Sequence, residues 1–97
     1  MEKRINVVVK EPGKPAERRT IDNTLKALQQ LVGGYIETVT FASDVLAIVN
    51  EEGRLLGLPE SGVMGLVGTV VFVRPKKENF ASLKEIDAGI LLDFLGE

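Results

Sequence analysis

The stretch LVGTVVFV, residues 66–73, is the part of the sequence that decides the fold. Only Gly68 and Thr69 interrupt its apolar run, and it lacks the alternation of a strand with one solvated face. An apolar, β-branched run of this kind predicts a strand that is covered on both faces. We therefore expect a central strand here, ended by the charged sequence RPKK at 74–77.

The segments before this strand also have strand character. Residues 45–49, VLAIV, are apolar throughout and predict another strand covered on both faces. Residues 35–41 alternate, which predicts a strand with Tyr35 and Glu37 on the same face. The sequence NEEG at 50–53 predicts a tight reversal, with residues 54–56 as the returning arm. Near the start, the turn sequence PGKP separates two short runs that predict a hairpin, residues 5–10 and 17–21.

Two helices are predicted. The first is short, capped by Asp22 or Asn23 and ended by Gly33-Gly34. Its apolar residues recur at helical spacing: Leu25, Leu28, Leu31 and Val32. The second occupies residues 82–96, where Ser82 and Glu85 match a capping box. We expect it to be amphipathic, with these residues on one side: Leu83, Ile86, Ile90, Leu91, Phe94 and Leu95.

This order of elements predicts one α+β domain over residues 1–97, with a mostly antiparallel sheet and both helices on one face. A β-grasp-like topology is the specific arrangement expected. The large share of apolar surface in two strands and the last helix predicts a homo-oligomer, because small domains bury leftover apolar area in symmetric assemblies.

Composition narrows the function. The 97 residues contain no histidine and no cysteine, which excludes Ser-His-Asp and Cys-His catalysis, thiolate sites and the usual zinc and haem ligands. We therefore expect a non-enzymatic protein with no cofactor and no metal. The net charge of −2 argues against bulk nucleic-acid binding. No run is long enough for a signal peptide core or a membrane span, so we expect a cytoplasmic location without membrane contact.

Six residues are candidates for contact with a ligand. Tyr35 can stack on a base, and Glu37 shares its predicted face, although the pattern favours a simple solvated face there. Asn50 can bind a base or ribose, or simply belong to the turn. Three arginines can bind phosphate or serve as ordinary surface charges: Arg18, Arg54 and Arg74. Arg18 and Arg74 would share one anion site if their strands are neighbours.

Three motifs, in order along the chain, carry a resemblance: VGGYIE at 32–37, NEEG-x-LLGLP at 50–59 and GTVV at 68–71. They resemble a family of small proteins encoded by phages and mobile elements of Gram-positive bacteria. The resemblance covers a core of residues 1–73, most clearly from Val7 to Val73, and leaves the C-terminal helix outside. It implies a phage setting rather than a mechanism.

Three functions follow from these observations. The first is an oligomeric phage protein that sequesters a small anionic, nucleotide-like ligand and so counters a host defence. The second is a protein-protein inhibitor or accessory subunit that binds a host protein through an exposed strand edge or the acidic stretch 51–60. The third is a carboxylate-dependent hydrolase built on Glu37, Glu51 or Glu52.

Overall fold

The computed structural model describes residues 3–77 and 79–96. Within these ranges the chain forms six strands and two helices in this order: β1 (Arg4–Lys10), β2 (Glu17–Asp22), α1 (Leu25–Val32), β3 (Ile36–Ala42), β4 (Val45–Asn50), β5 (Val70–Lys76), β6 (Asn79–Ala81) and α2 (Glu85–Leu95). The α+β class and the two helices are confirmed.

The sheet has the strand order β2-β1-β5-β4-β3, and β6 pairs with the far end of β5. Every paired neighbour is antiparallel. The strand β5 lies in the middle of this order, as its apolar sequence predicts. The central pair β1–β5 is antiparallel, with Val8 opposite Phe72. This differs from the β-grasp arrangement, in which the corresponding central strands run parallel.

The central strand begins later than predicted. It starts at Val70 rather than Leu66, because Gly68 has a left-handed φ of 76° that ends the extended conformation. The Gly68 N–H donates to the Pro59 carbonyl at 2.7 Å, which holds the preceding residues in a loop. The strand then continues to Lys76, beyond the predicted end at Val73, because β6 folds back and pairs with this charged end.

The two helices cover opposite faces of the sheet, so the prediction that they share one face was wrong. On one face, Leu28 and Val32 of α1 pack against Ile48 and Val71. On the other face, α2 and the loop 51–69 bury a second set of side chains, including Phe72. Strands β4 and β5 are apolar on both sides because the chain itself covers both sides. Their composition therefore does not require a subunit interface.

Helix α1 is capped one residue later than predicted. The Thr24 hydroxyl, rather than Asp22 or Asn23, accepts from the Ala27 N–H at 3.1 Å. Its end is as predicted, because Gly33 adopts a left-handed φ of 81° and its N–H donates to the Gln29 carbonyl.

We expect Gly33→Ala to lower the free energy of unfolding by about 1 to 2 kcal/mol, the cost of a left-handed conformation for a residue with a Cβ. A Cβ at this position would meet nothing within 4 Å, so no steric term is added. Urea unfolding measures the change. Gly33→Asn is the matched control and should cost less, because asparagine tolerates this conformation. Equal losses for both variants would contradict this explanation.

Helix α2 differs from its prediction in two ways. Its N-cap is Lys84, with no side-chain cap, because the Ser82 hydroxyl instead accepts from the Asn6 N–H at 2.9 Å. The buried and exposed sides of α2 also differ from the predicted ones. Ala88 and Leu91 are buried against the sheet, whereas three residues predicted to pack there are exposed: Ile86, Ile90 and Phe94. Neither helix in residues 3–77 and 79–96 is long and apolar enough to cross a membrane.

An ion pair joins the start of α2 to the β3–β4 turn. The Lys84 ammonium donates to a carboxylate oxygen of Asp44, and this hydrogen bond lowers the pKa of Asp44 below its ordinary value of 3.8; the nearby charge of Arg74 lowers it by a smaller amount. A carboxyl whose pKa is lower in the folded state stabilises the fold above its unfolded pKa and loses that effect as pH falls through the folded value.

We expect the Asp44 carboxyl to titrate with a midpoint below 3.8 in carbon-detected NMR. Lys84→Met should move the midpoint upward, because the donor and the positive charge are both removed. Asp44→Asn should make acid unfolding below about pH 4 less steep. A midpoint at or above 3.8, or no response to Lys84→Met, would contradict the ion pair.

Candidate functional site

The loop from 51 to 69 shapes the candidate site. It begins as a series of turns, in which the Leu56 N–H donates to the Glu52 carbonyl and the Leu58 N–H to the Gly53 carbonyl. The predicted returning arm at 54–56 is therefore not a strand. Further along, the buried Ser61 hydroxyl donates to the Leu66 carbonyl at 2.8 Å.

Asn50, at the end of β4, links this loop to helix α1 through hydrogen bonds. Its side chain is buried, its Nδ2 donates to the Val32 carbonyl at 3.1 Å, and its Oδ1 accepts from the Glu52 N–H at 2.8 Å. It thus satisfies one of the unpaired carbonyls at the C-terminus of α1 and one amide of the turn. Gly34 leaves the space for it, because a Cβ there would lie 3.0 Å from Asn50 Nδ2. Asn50 therefore lies beneath the site and holds the end of α1 and the turn after β4 together.

A depression of about 250 Å³ lies above Asn50, and we call it the Tyr35 depression. Its walls come from the end of α1, the start of β3 and the turn after β4: Gln29, Gly33, Gly34, Tyr35, Asn50, Glu52 and Leu56. Tyr35 is 67% exposed and Leu56 is 60% exposed. These two side chains form the large apolar part of the depression.

A second, smaller depression of about 130 Å³ adjoins the first on the other side of Asn50. Glu37 and Arg54 are both in its wall. The Arg54 guanidinium donates to the Gly65 carbonyl at 2.7 Å, so it ties together the two ends of the loop. Four of the six predicted residues therefore lie around one site: Tyr35, Glu37, Asn50 and Arg54.

The charge around this site is negative. Glu37, Glu51 and Glu52 are exposed at its rim, and Arg54 is the basic residue among the side chains that line the two depressions. Because exposed charges act within about 10 Å at moderate ionic strength, these carboxylates repel an approaching phosphate and attract a cationic group.

Arg18 and Arg74 lie elsewhere and do not share an anion site with each other. Strand β1 separates their strands in the sheet. Arg18 pairs with Glu85 at the start of α2, and the Arg74 Nε donates to the Ser82 carbonyl at 2.9 Å. The neighbouring Arg19 pairs with Glu17 and Glu11, and the hydrogen bond with Glu17 raises the pKa of Arg19.

No group of three or more acidic side chains is placed to hold a metal ion in residues 3–77 and 79–96. The carboxylates proposed for a hydrolase, Glu37, Glu51 and Glu52, lie at the exposed rim. A general acid or base needs burial or a close charged partner to bring a carboxyl pKa near neutrality. These three carboxylates form a charged, exposed rim around the two depressions.

A family comparison covers almost the whole chain. The sequence profile described as Domain of unknown function (DUF3846) matches residues 5–94. The chain belongs to the DUF3846 family. The match runs past Val73 and includes most of α2, so the prediction that the C-terminal helix lies outside the family was wrong. Neither a curated protein nor a solved structure matches this DUF3846 chain.

Beside the site, strand β3 forms an edge of the DUF3846 sheet. It pairs with β4 on one side and has no strand on the other side within the part of the chain that the structure describes. Its one charged residue is Glu37, whereas the opposite edge, β2, carries four: Glu17, Arg18, Arg19 and Asp22.

Sequence reasoning missed Leu56 as a site residue, and it considered Glu52 only as a carboxylate of a hydrolase. A signal was present, since the adjacent pair Leu55-Leu56 follows a turn and both side chains are exposed. An apolar pair inside a polar turn, with no alternation around it, indicates either loop packing or a binding surface.

Proposed function

We propose that this DUF3846 chain is a binding module that takes an extended, basic segment of a partner protein along the β3 edge. One observation carries the proposal: the weakly charged β3 edge begins beside Tyr35, at an apolar depression with an acidic rim. The β3 edge, the Tyr35 depression and the acidic rim lie next to one another. Together they favour a ligand that is extended, partly apolar and basic.

The edge supplies the main-chain part of the binding. An edge strand presents backbone N–H and C=O groups that another extended chain can pair with, and proteins commonly protect such edges with charged side chains. Strand β2 carries four such charges, whereas β3 carries one, Glu37. Addition of a strand to an exposed edge is a recurring way of recognising a peptide.

The depression and its rim supply the selectivity. A peptide that runs along β3 past Ile36 reaches Tyr35 and Leu56, where an apolar side chain can be buried. Lysine or arginine residues beside that anchor would face Glu37, Glu51 and Glu52. The partner segment is therefore expected to combine one apolar anchor with flanking basic residues.

We place this activity in the setting that the motif resemblance implies, a phage or mobile element acting on a host protein inside the bacterial cell. The module would then inhibit or recruit that protein without chemistry of its own. The absence of histidine and cysteine from the sequence supports a binding role.

The proposal is tested by selecting displayed random peptides on the purified protein and measuring the affinity of enriched peptides. We expect basic peptides with one apolar anchor. Thr38→Lys, which adds to β3 the kind of charge that protects β2, should weaken binding at least tenfold, about 1.4 kcal/mol. Thr20→Lys on β2 is the matched control and should leave the affinity unchanged. Acidic peptides, or equal losses for the two variants, would refute the β3 site.

A second candidate is the sequestration of a nucleotide-like ligand between subunits. It is favoured by the exposed Tyr35 ring beside the Gly33-Gly34 backbone, because an aromatic face can stack on any base. The rim charge opposes it, since phosphates would approach three carboxylates. Native mass spectrometry of gently purified protein distinguishes the two, because retained mass in the nucleotide range, lost in Tyr35→Ala, would favour sequestration.

A further inference from the structure

The free edge of β3 presents its backbone groups at every other residue. The Glu51 N–H donates to the Tyr35 carbonyl at 2.8 Å, so these two residues form a hydrogen-bonded pair at the start of β3 and the end of β4. Hydrogen-bonded and non-hydrogen-bonded positions alternate along antiparallel strands. Further along β3, Glu37 and Val39 therefore also direct their N–H and C=O groups towards β4.

The residues between these positions direct their backbone groups away from β4. They are Ile36, Thr38 and Thr40, and within residues 3–77 and 79–96 none of their N–H or C=O groups bonds to another element. The strand register shifts after Thr40, which ends the regular part of the edge. The edge therefore offers three evenly spaced residues for pairing with another chain.

Glu37 lies between two apolar residues on its own side of the strand. Glu37 borders the second depression, and Val39 packs against the core on the side of the loop 51–69. Tyr35, two residues before Glu37, follows the same alternation. A peptide residue placed beside Glu37 is therefore two residues away from those placed beside Tyr35 and Val39. On this side, every other peptide residue meets an aromatic, an acidic and an aliphatic side chain in turn.

We propose that Glu37 sets the charge selectivity of the β3 edge, and that the bound segment has an apolar, a basic and a second apolar residue at alternate positions. This inference rests on the proposed function and specifies its ligand. The basic residue faces Glu37 across the strands, where opposite charges stabilise the pair. Glu51 and Glu52 belong to the turn after β4, whereas Glu37 is on the edge strand itself. The backbone of the segment pairs only with Ile36, Thr38 and Thr40.

Methylation of the backbone nitrogens of an enriched basic peptide, one at a time, tests the pairing. Methylation of each amide that pairs with Ile36, Thr38 or Thr40 should weaken binding at least fivefold, because the hydrogen-bond donor is lost. The amides between them face away from β3, so their methylation should cost much less. Losses that do not alternate, in a peptide whose binding still depends on Thr38→Lys, would overturn the pairing and leave the proposed function standing.

Glu37→Lys tests the placement of the charge. It should weaken the basic peptide at least threefold, because like charges that face each other across strands are destabilising. A peptide with glutamate in place of its basic residue should then bind Glu37→Lys better than the original peptide does. Glu51→Lys is the matched control, since it changes a rim carboxylate outside β3, and the glutamate peptide should not restore its binding. Equal rescue in both variants, or none in Glu37→Lys, would overturn the role of Glu37, and no peptide binding to the unaltered chain would overturn the proposed function as well.

Discussion

Phe72→Ala is expected to lower the free energy of unfolding by about 3 to 5 kcal/mol, the range for removal of a buried aromatic ring. Phe72 lies in the middle of the central strand and is 0% exposed. Its ring packs edge-to-face on Phe41 with centroids 5.2 Å apart, a contact that adds about 1 kcal/mol beyond the buried area. Denaturant unfolding of dilute protein measures the loss.

Phe94→Ala is the matched control for this prediction, because the same side chain is removed from an 82% exposed position. Its effect on the dilute monomer should be within about 0.5 kcal/mol of zero. If Phe94→Ala cost as much as Phe72→Ala, the division of the aromatic residues between core and surface would be wrong.

Asn50→Ala is expected to cost about 2 to 4 kcal/mol, because the variant leaves both the Val32 carbonyl and the Glu52 amide without their partner near a buried position. The effect should be larger than for an ordinary side-chain hydrogen bond, since Asn50 joins α1, β4 and the loop at one point. Asn50→Asp should also destabilise the fold, because a carboxylate cannot donate to the Val32 carbonyl.

Asn6→Ala is the matched control for Asn50. The Asn6 side chain is exposed and accepts a hydrogen bond from the Thr20 hydroxyl at 2.7 Å. Its removal should cost no more than about 1 kcal/mol. Equal losses of stability at the two positions would contradict the structural role of Asn50. Full stability in Asn50→Ala would mean that the Asn50 amide is not needed for the fold and is available to contact a ligand.

Local patterns predicted those elements whose signals are local. The alternation in residues 35–41, the β-branched run of β1 and the glycine at the end of α1 each depend on neighbours in the sequence. Local sequence did not predict where β5 begins. Leu66 and Val67 continue the apolar run, but Leu66 is apolar because the loop packs on the core.

The faces of α2 were not predictable, because periodicity identifies a buried face only when the other face is polar. Ile86 and Leu91 are equally apolar, and tertiary packing alone decides which of them is buried. The placement of α1 and α2 on opposite faces of the sheet was also not predictable, because it depends on strand order rather than on local sequence.

The candidate site was partly predictable. The sequence indicates Tyr35 as an aromatic side chain that can stack on a base and Arg54 as an arginine that can bind phosphate, and both residues border the site. The pairing of Arg54 with the Gly65 carbonyl, eleven residues away, required the folded loop. The acidic character of the rim also depends on the fold, because Glu37 and Glu52 come from different elements.

The central claim, peptide binding along β3, is tested most directly by NMR titration of the labelled protein with an enriched basic peptide. The account predicts that the amide signals of residues 35–42 shift and gain protection from solvent exchange, with changes also at Glu52 and Leu56. The amides of β2, residues 17–22, should stay unchanged. Shifts confined to β2 or α2, or none at saturating peptide, would contradict it.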